Sequence, residues 1–128
     1  CEAAEYLAER GHQVAIVEMK DVIAADVTPE NRRYMFRNFE ENHVLLQPGA
    51  KVTRFYADGV DYALADGTAG SLRGYDTVVL AMGSRSNAGL KETAGKGAGQ
   101  VLVIGEAAKA PGNAVLATGD ALEAALAI

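Results

Sequence analysis

The chain has 128 residues, 49% hydrophobic and 23% charged, a composition that suits an ordinary globular protein with enough apolar material for one core. Twelve Lys and Arg stand against seventeen Asp and Glu, a formal charge of -5, so no basic field exists to attract nucleic acid or anionic lipid. The single cysteine, Cys1, leaves no partner for an internal disulfide or a Cys-rich iron–sulfur site in these residues, which fits a reducing cytoplasm.

Residues 2–10 place Ala3, Ala4, Leu7 and Ala8 on one side at helical spacing, with Glu5, Glu9 and Arg10 on the other, and Gly11 follows in the C-cap role. Small alanines let such a helix lie close to a sheet. Residues 13–17 are β-branched and apolar at their centre, which suits a parallel strand covered on both faces. Thr28, Pro29 and Glu30 then supply an N-cap, a first-turn proline and an acid at the positive end of the helix dipole. The helix that follows runs to about Asn42, with Met35, Phe36 and Phe39 as its buried stripe and Arg32, Arg33 and Arg37 as its solvated face.

A short strand at Val44, Leu45 and Leu46 ends in a Pro48-Gly49 turn. From Lys51 the hydrophobic rhythm becomes period two. Asp58-Gly59 and Asp66-Gly67 are hairpin dipeptides, so residues 51–73 read as a three-stranded antiparallel meander. Residues 77–81 read as another buried strand, ending at Met82-Gly83. Residues 88–100, rich in Gly, Ala and Lys, read as a mobile connection. A last strand, 101–104, ends in Gly105-Glu106, and an amphipathic helix from about Asn113 closes the chain. No apolar run approaches the roughly 18 residues that cross a bilayer, and no basic then apolar leader opens the chain, so no membrane association is expected.

The chemistry concentrates at strand ends. Glu18 follows the apolar run Val14, Ala15, Ile16, Val17. In a dinucleotide-binding βαβ unit a carboxylate at the tip of the second strand accepts hydrogen bonds from the adenosine ribose hydroxyls. Glu18, with Met19 and Lys20 beside it, takes that place if a first strand and its G-x-G-x-x-G loop precede Cys1; those glycines are absent here, and the chain looks like a fragment. Glu18 would repel a 2′-phosphate, which favours NADH over NADPH, a preference that nearby Lys20 weakens without reversing. Ala81, Met82 and Gly83 form a second candidate, because a glycine at a strand's carboxyl end lets backbone approach a ligand without a Cβ clash.

No Ser-His-Asp order or paired carboxylates stands out, so no catalytic residue is assigned. Neither His12 nor His43 has a partner at ligand spacing, so no metal site is expected and both read as surface or helix-end residues. Cys1 reads as a small, buried packing residue.

The order of these parts resembles the flavoprotein reductases with two dinucleotide-binding domains, in which an NAD(P)H domain is inserted into an FAD domain and a meander replaces a crossover helix. Thr77 to Asn87 resembles the family's signature of an apolar strand ending A-x-G-x-x-P-N, with Ser86 where proline is usual. Val101 to Ala107 resembles a second signature, an apolar strand followed by Gly-Asp, in which the acid bonds the flavin ribitol; here Gly105 is followed by Glu106. Within the family, the opening run Cys1 to Ala8 and the closing run Leu122 to Ile128 look most like the C-terminal FAD/NAD(P)-binding region of NADH:flavin oxidoreductases related to Old Yellow Enzyme, a group that includes 2,4-dienoyl-CoA and enoate reductases. Ala121 stands where many relatives have glycine.

The resemblance implies an α/β, Rossmann-like NAD(P)-binding domain with a parallel sheet and a meander, its first strand missing. Residues 1–87 would be the truncated NAD(P)H-binding domain, 88–100 a linker and 101–128 the returning segment of the FAD domain. NADH would bind here and be positioned for hydride transfer to FAD, with FMN and an iron–sulfur cluster held elsewhere in the parent flavoenzyme, the remainder of which is the expected partner. The segment alone would not turn over. The alternative is a non-catalytic module that binds an adenine nucleotide or serves structure alone. Residues 101–104 are expected to fill the place of the absent central strand; exchange of a strand between two chains, giving a dimer, is the rival solution.

Overall fold

In a computed structural model describing residues 1–109 and 112–128, the chain divides into two units, Cys1–Val79 and Leu80–Ile128, each taken by itself below. Residues 110 and 111 of the expected segment 101–128 lie outside the described residues.

The first unit opens with helix α1, Glu2–Ala8, which ends just before Gly11 at φ 81°. Ala8 is buried and Ala4 and Leu7 are half-buried, as the alanine stripe predicts. Glu5 departs from its expected solvent role. Its Oε1 accepts from Asn38 Nδ2 at 2.7 Å, and Glu9 Oε1 accepts from the same amide at 2.8 Å. One neutral amide thus gathers two carboxylates and fastens α1 to helix α2. Cys1, expected to be buried, is the exposed N-cap of α1.

Strand β1, Ala15–Val17, pairs in parallel with β2, Leu45–Gln47, and α2, Pro29–Glu41, is the crossover between them. β1 is half-buried rather than covered on both faces, since among the described residues its sheet has two strands. Pro29 sits in the first turn of α2 as expected, and Thr28 is the N-cap by backbone alone: its carbonyl accepts from Arg32 N–H at 2.9 Å while its hydroxyl makes no cap bond. Met35 and Phe39 are buried and Phe36 is half-buried against Phe39, ring centroids 5.8 Å apart. Arg32 is not part of the solvated face. Its Nε donates to the Ile23 carbonyl at 3.1 Å and its guanidinium lies 4.5 Å over the Phe36 ring, so it fastens the loop after β1 to α2.

The meander is present: β3 (Ala50–Tyr56), β4 (Gly59–Leu64) and β5 (Ala69–Arg73) form an antiparallel sheet with an irregularity between Val52 and Arg54. Its first hairpin is built differently from the Asp58-Gly59 reading. Ala57 and Asp58 make the turn, and Gly59 opens β4 opposite Tyr56. Gly59 has φ 152°, and a Cβ there would collide with the Leu72 carbonyl of β5, so the glycine serves strand approach rather than the turn. In the second hairpin Asp66 Oδ1 accepts from Thr68 N–H at 2.8 Å, a bond that also lowers the Asp66 pKa. Arg73 Nη2 donates to Asp61 Oδ1 at 2.6 Å and Tyr56 Oη donates to Asp61 Oδ2 at 2.7 Å, so one carboxylate ties all three strands.

The described core residues, Ala8, Ile23, Met35, Phe39, Ala50 and Val60, all fall in this unit. Residues 77–81, expected as a strand, form none, and Val78, Val79, Leu80 and Met82 are exposed. In the second unit residues 101–104 likewise form no ladder, so they do not fill the place of a central strand. An apolar β-branched run specifies a strand only when another chain segment offers its N–H and C=O groups in register. A short helix, α3 (Lys91–Gly95), occupies the stretch read as a structureless connection. The closing helix α4, Ala114–Leu126, starts as expected: Asn113 caps it, its Oδ1 accepting from Leu116 N–H at 3.1 Å. Among the described residues no helix is long and apolar enough to cross a membrane.

Gly59→Ala is expected to lower the stability of the meander by about 2 kcal/mol, the cost of forcing a methyl against fixed backbone. Thermal unfolding followed by circular dichroism checks it; an unchanged midpoint would contradict the strand-approach role.

Candidate functional site

Glu18 stands at the carboxyl end of β1, one residue past the ladder. Its N–H donates to the Gln47 carbonyl at 3.0 Å and its own carbonyl accepts from Ala50 N–H at 2.9 Å. The backbone is therefore held from both sides, by the last residue of β2 and the first of β3. The side chain is oriented as well: Oε1 accepts from Lys20 N–H at 2.9 Å. A carboxylate that accepts one local N–H keeps its second oxygen for an outside donor. Glu18 is half-buried, whereas Met19 and Lys20 are exposed, Met19 at 69%.

Ala81, Met82, Gly83, Gly105 and Glu106 belong to the second unit. Gly83 has φ 75° and open space where a Cβ would stand, so its backbone is accessible, and Met82 is 85% exposed. Gly105 and Glu106 begin a 3-10 turn, Gly105–Ala107. The Gly105 N–H donates to Asp120 Oδ2 at 3.1 Å, and Glu106 Oε1 accepts from Gly112 N–H at 3.1 Å.

Two residues here escaped the sequence reading. Asp120 bonds Gly105 through one oxygen, and its other oxygen accepts from Lys109 Nζ at 2.5 Å. Its side chain is 15% exposed while that of Lys109 is 67% exposed. The Lys109 ammonium is the main cause holding the Asp120 carboxyl below its usual range, opposed by burial and helped by the Gly105 N–H. The signal was there: Lys109 is the sole Lys or Arg in 101–128, and Asp120 and Glu123 are the two acids on the Ala-rich helix that follows. These groups, with Asn113, Leu116 and Ala117, line a hollow of about 70 Å³. That is room for a couple of waters or one polar corner of a ligand, not for a fused ring system.

A second concavity lies elsewhere. A shallow depression of about 550 Å³ is lined by Phe36, Phe39, Val44 and Leu46 and rimmed by Arg33, Arg37 and Glu40, and none of the predicted site residues reaches it. Its apolar floor and scattered rim lack the convergent polar groups that orient a ligand. Among the described residues no cluster of His, Cys, Asp or Glu is arranged to hold a metal ion, and His43, at φ 55°, ends α2, its N–H donating to the Glu40 carbonyl at 3.2 Å.

A parallel strand ending in an oriented glutamate, followed by an antiparallel meander, meets its match in comparison with known proteins: the pyridine nucleotide-disulphide oxidoreductase family model aligns with residues 1–127. The chain belongs to this family. It is 44% identical over 86 residues to a bilirubin reductase of Mediterraneibacter gnavus (strain CC55_001C), covering 67% of this chain and 13% of that protein. It is 38% identical over 109 residues to an NADH oxidase of Thermoanaerobacter brockii, covering 84% of this chain and 16% of that one. Among solved structures, a 2-naphthoyl-CoA reductase superposes with a TM-score of 0.75 at 26% identity, over 98% of this chain and 19% of that one. The chain thus spans less than a fifth of each relative. The Rossmann-like α/β fold and the likeness to Old Yellow Enzyme-like flavoproteins read from the sequence both stand. The family implies binding of FAD and a nicotinamide nucleotide.

Acidification should release the Gly105–Asp120–Lys109 tie. The folded pKa of Asp120 is depressed, so its contribution is complete above the usual carboxylate value of 3.8 and is lost as pH falls through the lower folded value. Lys109, raised above 10.5, loses the same contact only as pH climbs past its raised value. A pH titration of the Gly105 amide resonance should show an inflection on the acid side of 3.8 that vanishes in Asp120→Asn.

Proposed function

We propose that these residues bind NADH and hold it for hydride transfer to FAD within a larger flavin-dependent oxidoreductase. The observation that carries this reading is Glu18, at the carboxyl end of a parallel strand, with one carboxylate oxygen fixed by Lys20 N–H and the other left to accept from a ribose hydroxyl. The donor set fits: a vicinal diol offers hydrogens and a carboxylate accepts them, whereas a 2′-phosphate brings like charge. When bound, the nicotinamide supplies a hydride and the flavin accepts it.

In this reading residues 1–87 are the nicotinamide-nucleotide part, 88–100 a linker and 101–128 the returning part of the FAD domain. Met19 and Lys20 flank the ribose, and Lys20 softens the discrimination against NADPH. Ala81, Met82 and Gly83 give backbone access to the dinucleotide. Gly105 and Glu106 face the flavin ribitol, with Glu106 Oε2 accepting from a hydroxyl while Oε1 stays on Gly112 N–H. FMN and an iron–sulfur cluster belong to other parts of the whole protein, as does the group that takes the electrons.

In the full-length protein carrying this segment, Glu18→Gln is expected to raise the Kd for NAD⁺ about tenfold, the cost of turning a charge-assisted hydrogen bond into a neutral one. Calorimetric titration with NAD⁺, which leaves an oxidised flavin unreduced, measures it. ADP binding as tightly as NAD⁺ would instead favour an adenine site without a positioning role; an unchanged Kd removes Glu18 from the site.

A further inference from the structure

The carboxylate of Glu18 depends on a turn that lies 30 residues downstream in the chain. Pro48 and Gly49 connect β2 to β3, and two consecutive amides of this connection reach back to the end of β1. Gly49 N–H donates to the Lys20 carbonyl at 2.9 Å, and Ala50 N–H donates to the Glu18 carbonyl at 2.9 Å. The carbonyls on either side of Met19 are thereby gripped by neighbouring amides of one turn. The Lys20 backbone is used twice: its carbonyl is held by Gly49, and its N–H holds Glu18 Oε1. Rotation at Lys20 would carry that N–H away from the carboxylate, and the Gly49 bond opposes the rotation.

Gly49 meets this requirement by adopting φ 64°, the left-handed region, which turns its own N–H and that of Ala50 toward the same strand end. Ala50, 1% exposed, is fixed by the core, and Gln47 is fixed by Tyr62 Oη, which donates to its Oε1 at 3.2 Å. The turn is therefore anchored on both flanks, and its central backbone conformation is the one free variable. A Cβ at position 49 would meet Asp21 Oδ1 at 3.5 Å, an ordinary contact, so space does not demand glycine and conformation does.

We propose that Gly49 is a positioning residue for nucleotide selectivity: its left-handed conformation aims the Glu18 carboxylate, and so sets the preference for a ribose diol over a 2′-phosphate. This rests on the reading of Glu18 as the ribose ligand. Gly49 itself touches no nucleotide.

The test compares Gly49→Val with Gly49→Asn in the full-length protein, because valine shuns the left-handed region and asparagine, of similar bulk, accepts it. Calorimetric Kd values for NAD⁺ and NADP⁺ give the preference, Glu18→Gln serves as the reference, and Gly49→Ala takes the place of valine should that variant not fold. Gly49→Val is expected to lower the preference for NAD⁺ about tenfold, with Gly49→Asn within about twofold of the parent. Loss of preference in Glu18→Gln with full preference in Gly49→Val would overturn the proposal while leaving the ribose reading intact. Equal loss in the valine and asparagine variants would overturn it too, by assigning the effect to bulk. An unaltered preference in Glu18→Gln would sink the ribose reading and this proposal together.

Discussion

The junction between the parallel pair and the meander hangs on the backbone around Glu18. Its N–H bonds the last residue of β2 and its carbonyl bonds the first residue of β3, so one peptide segment joins the parallel pair to the meander. The Gly49 N–H on the Lys20 carbonyl and the Tyr62 hydroxyl on the Gln47 side chain reinforce the same junction. At this junction Ala50 is buried and the chain leaving β1 is held by backbone bonds at Glu18 and Lys20. The side chain at the candidate site and the backbone that organises the fold thus belong to the same residue, which places the carboxylate on a rigid element rather than on a loose loop.

The second unit is organised by side chains more than by ladders. Asp120 holds both the Gly105 N–H and Lys109, Glu106 holds the Gly112 N–H, Ser86 Oγ donates to the Lys109 carbonyl, and Asn113 caps α4. Polar ties of this kind fix local geometry but bury little apolar surface. Val115, Leu116, Leu122 and Leu126 of α4 remain exposed, as do Leu102 and Ile104. Hydrophobic burial is the dominant stabilising term in folding, so this unit has little of it to draw on from within. The chain covers 13%, 16% and 19% of the three proteins compared above.

Family membership bears on the two units unequally. In the first, a parallel strand ends in an acid whose backbone is bonded on both sides and whose side chain is oriented by a local N–H. In the second, the acid after Gly105 is already engaged within the chain and the hollow beside it is small.

What the sequence alone determined is what short-range physics controls. Helix α1 follows from an alanine stripe and its glycine stop, α2 from a first-turn proline and an i, i+3, i+4 apolar face, the meander from period-two alternation broken by turn residues, and α4 from the asparagine that caps it; each of these signals acts over about four residues. Glu18 was legible for the same reason, as an acid directly after an apolar run. Tertiary structure alone decided the rest. Residues 77–81 and 101–104 have strand composition, yet a strand exists only with a partner in register, which composition does not supply. Arg32 left the solvated face because Ile23 and Phe36 offered it a carbonyl and a ring, Asp120 became a hub because Gly105 and Lys109 came within its reach, and Gly49 turned out to aim a carboxylate it is far from in sequence. These are meetings between distant residues, and the chain's local pattern carries no record of which distant groups will meet.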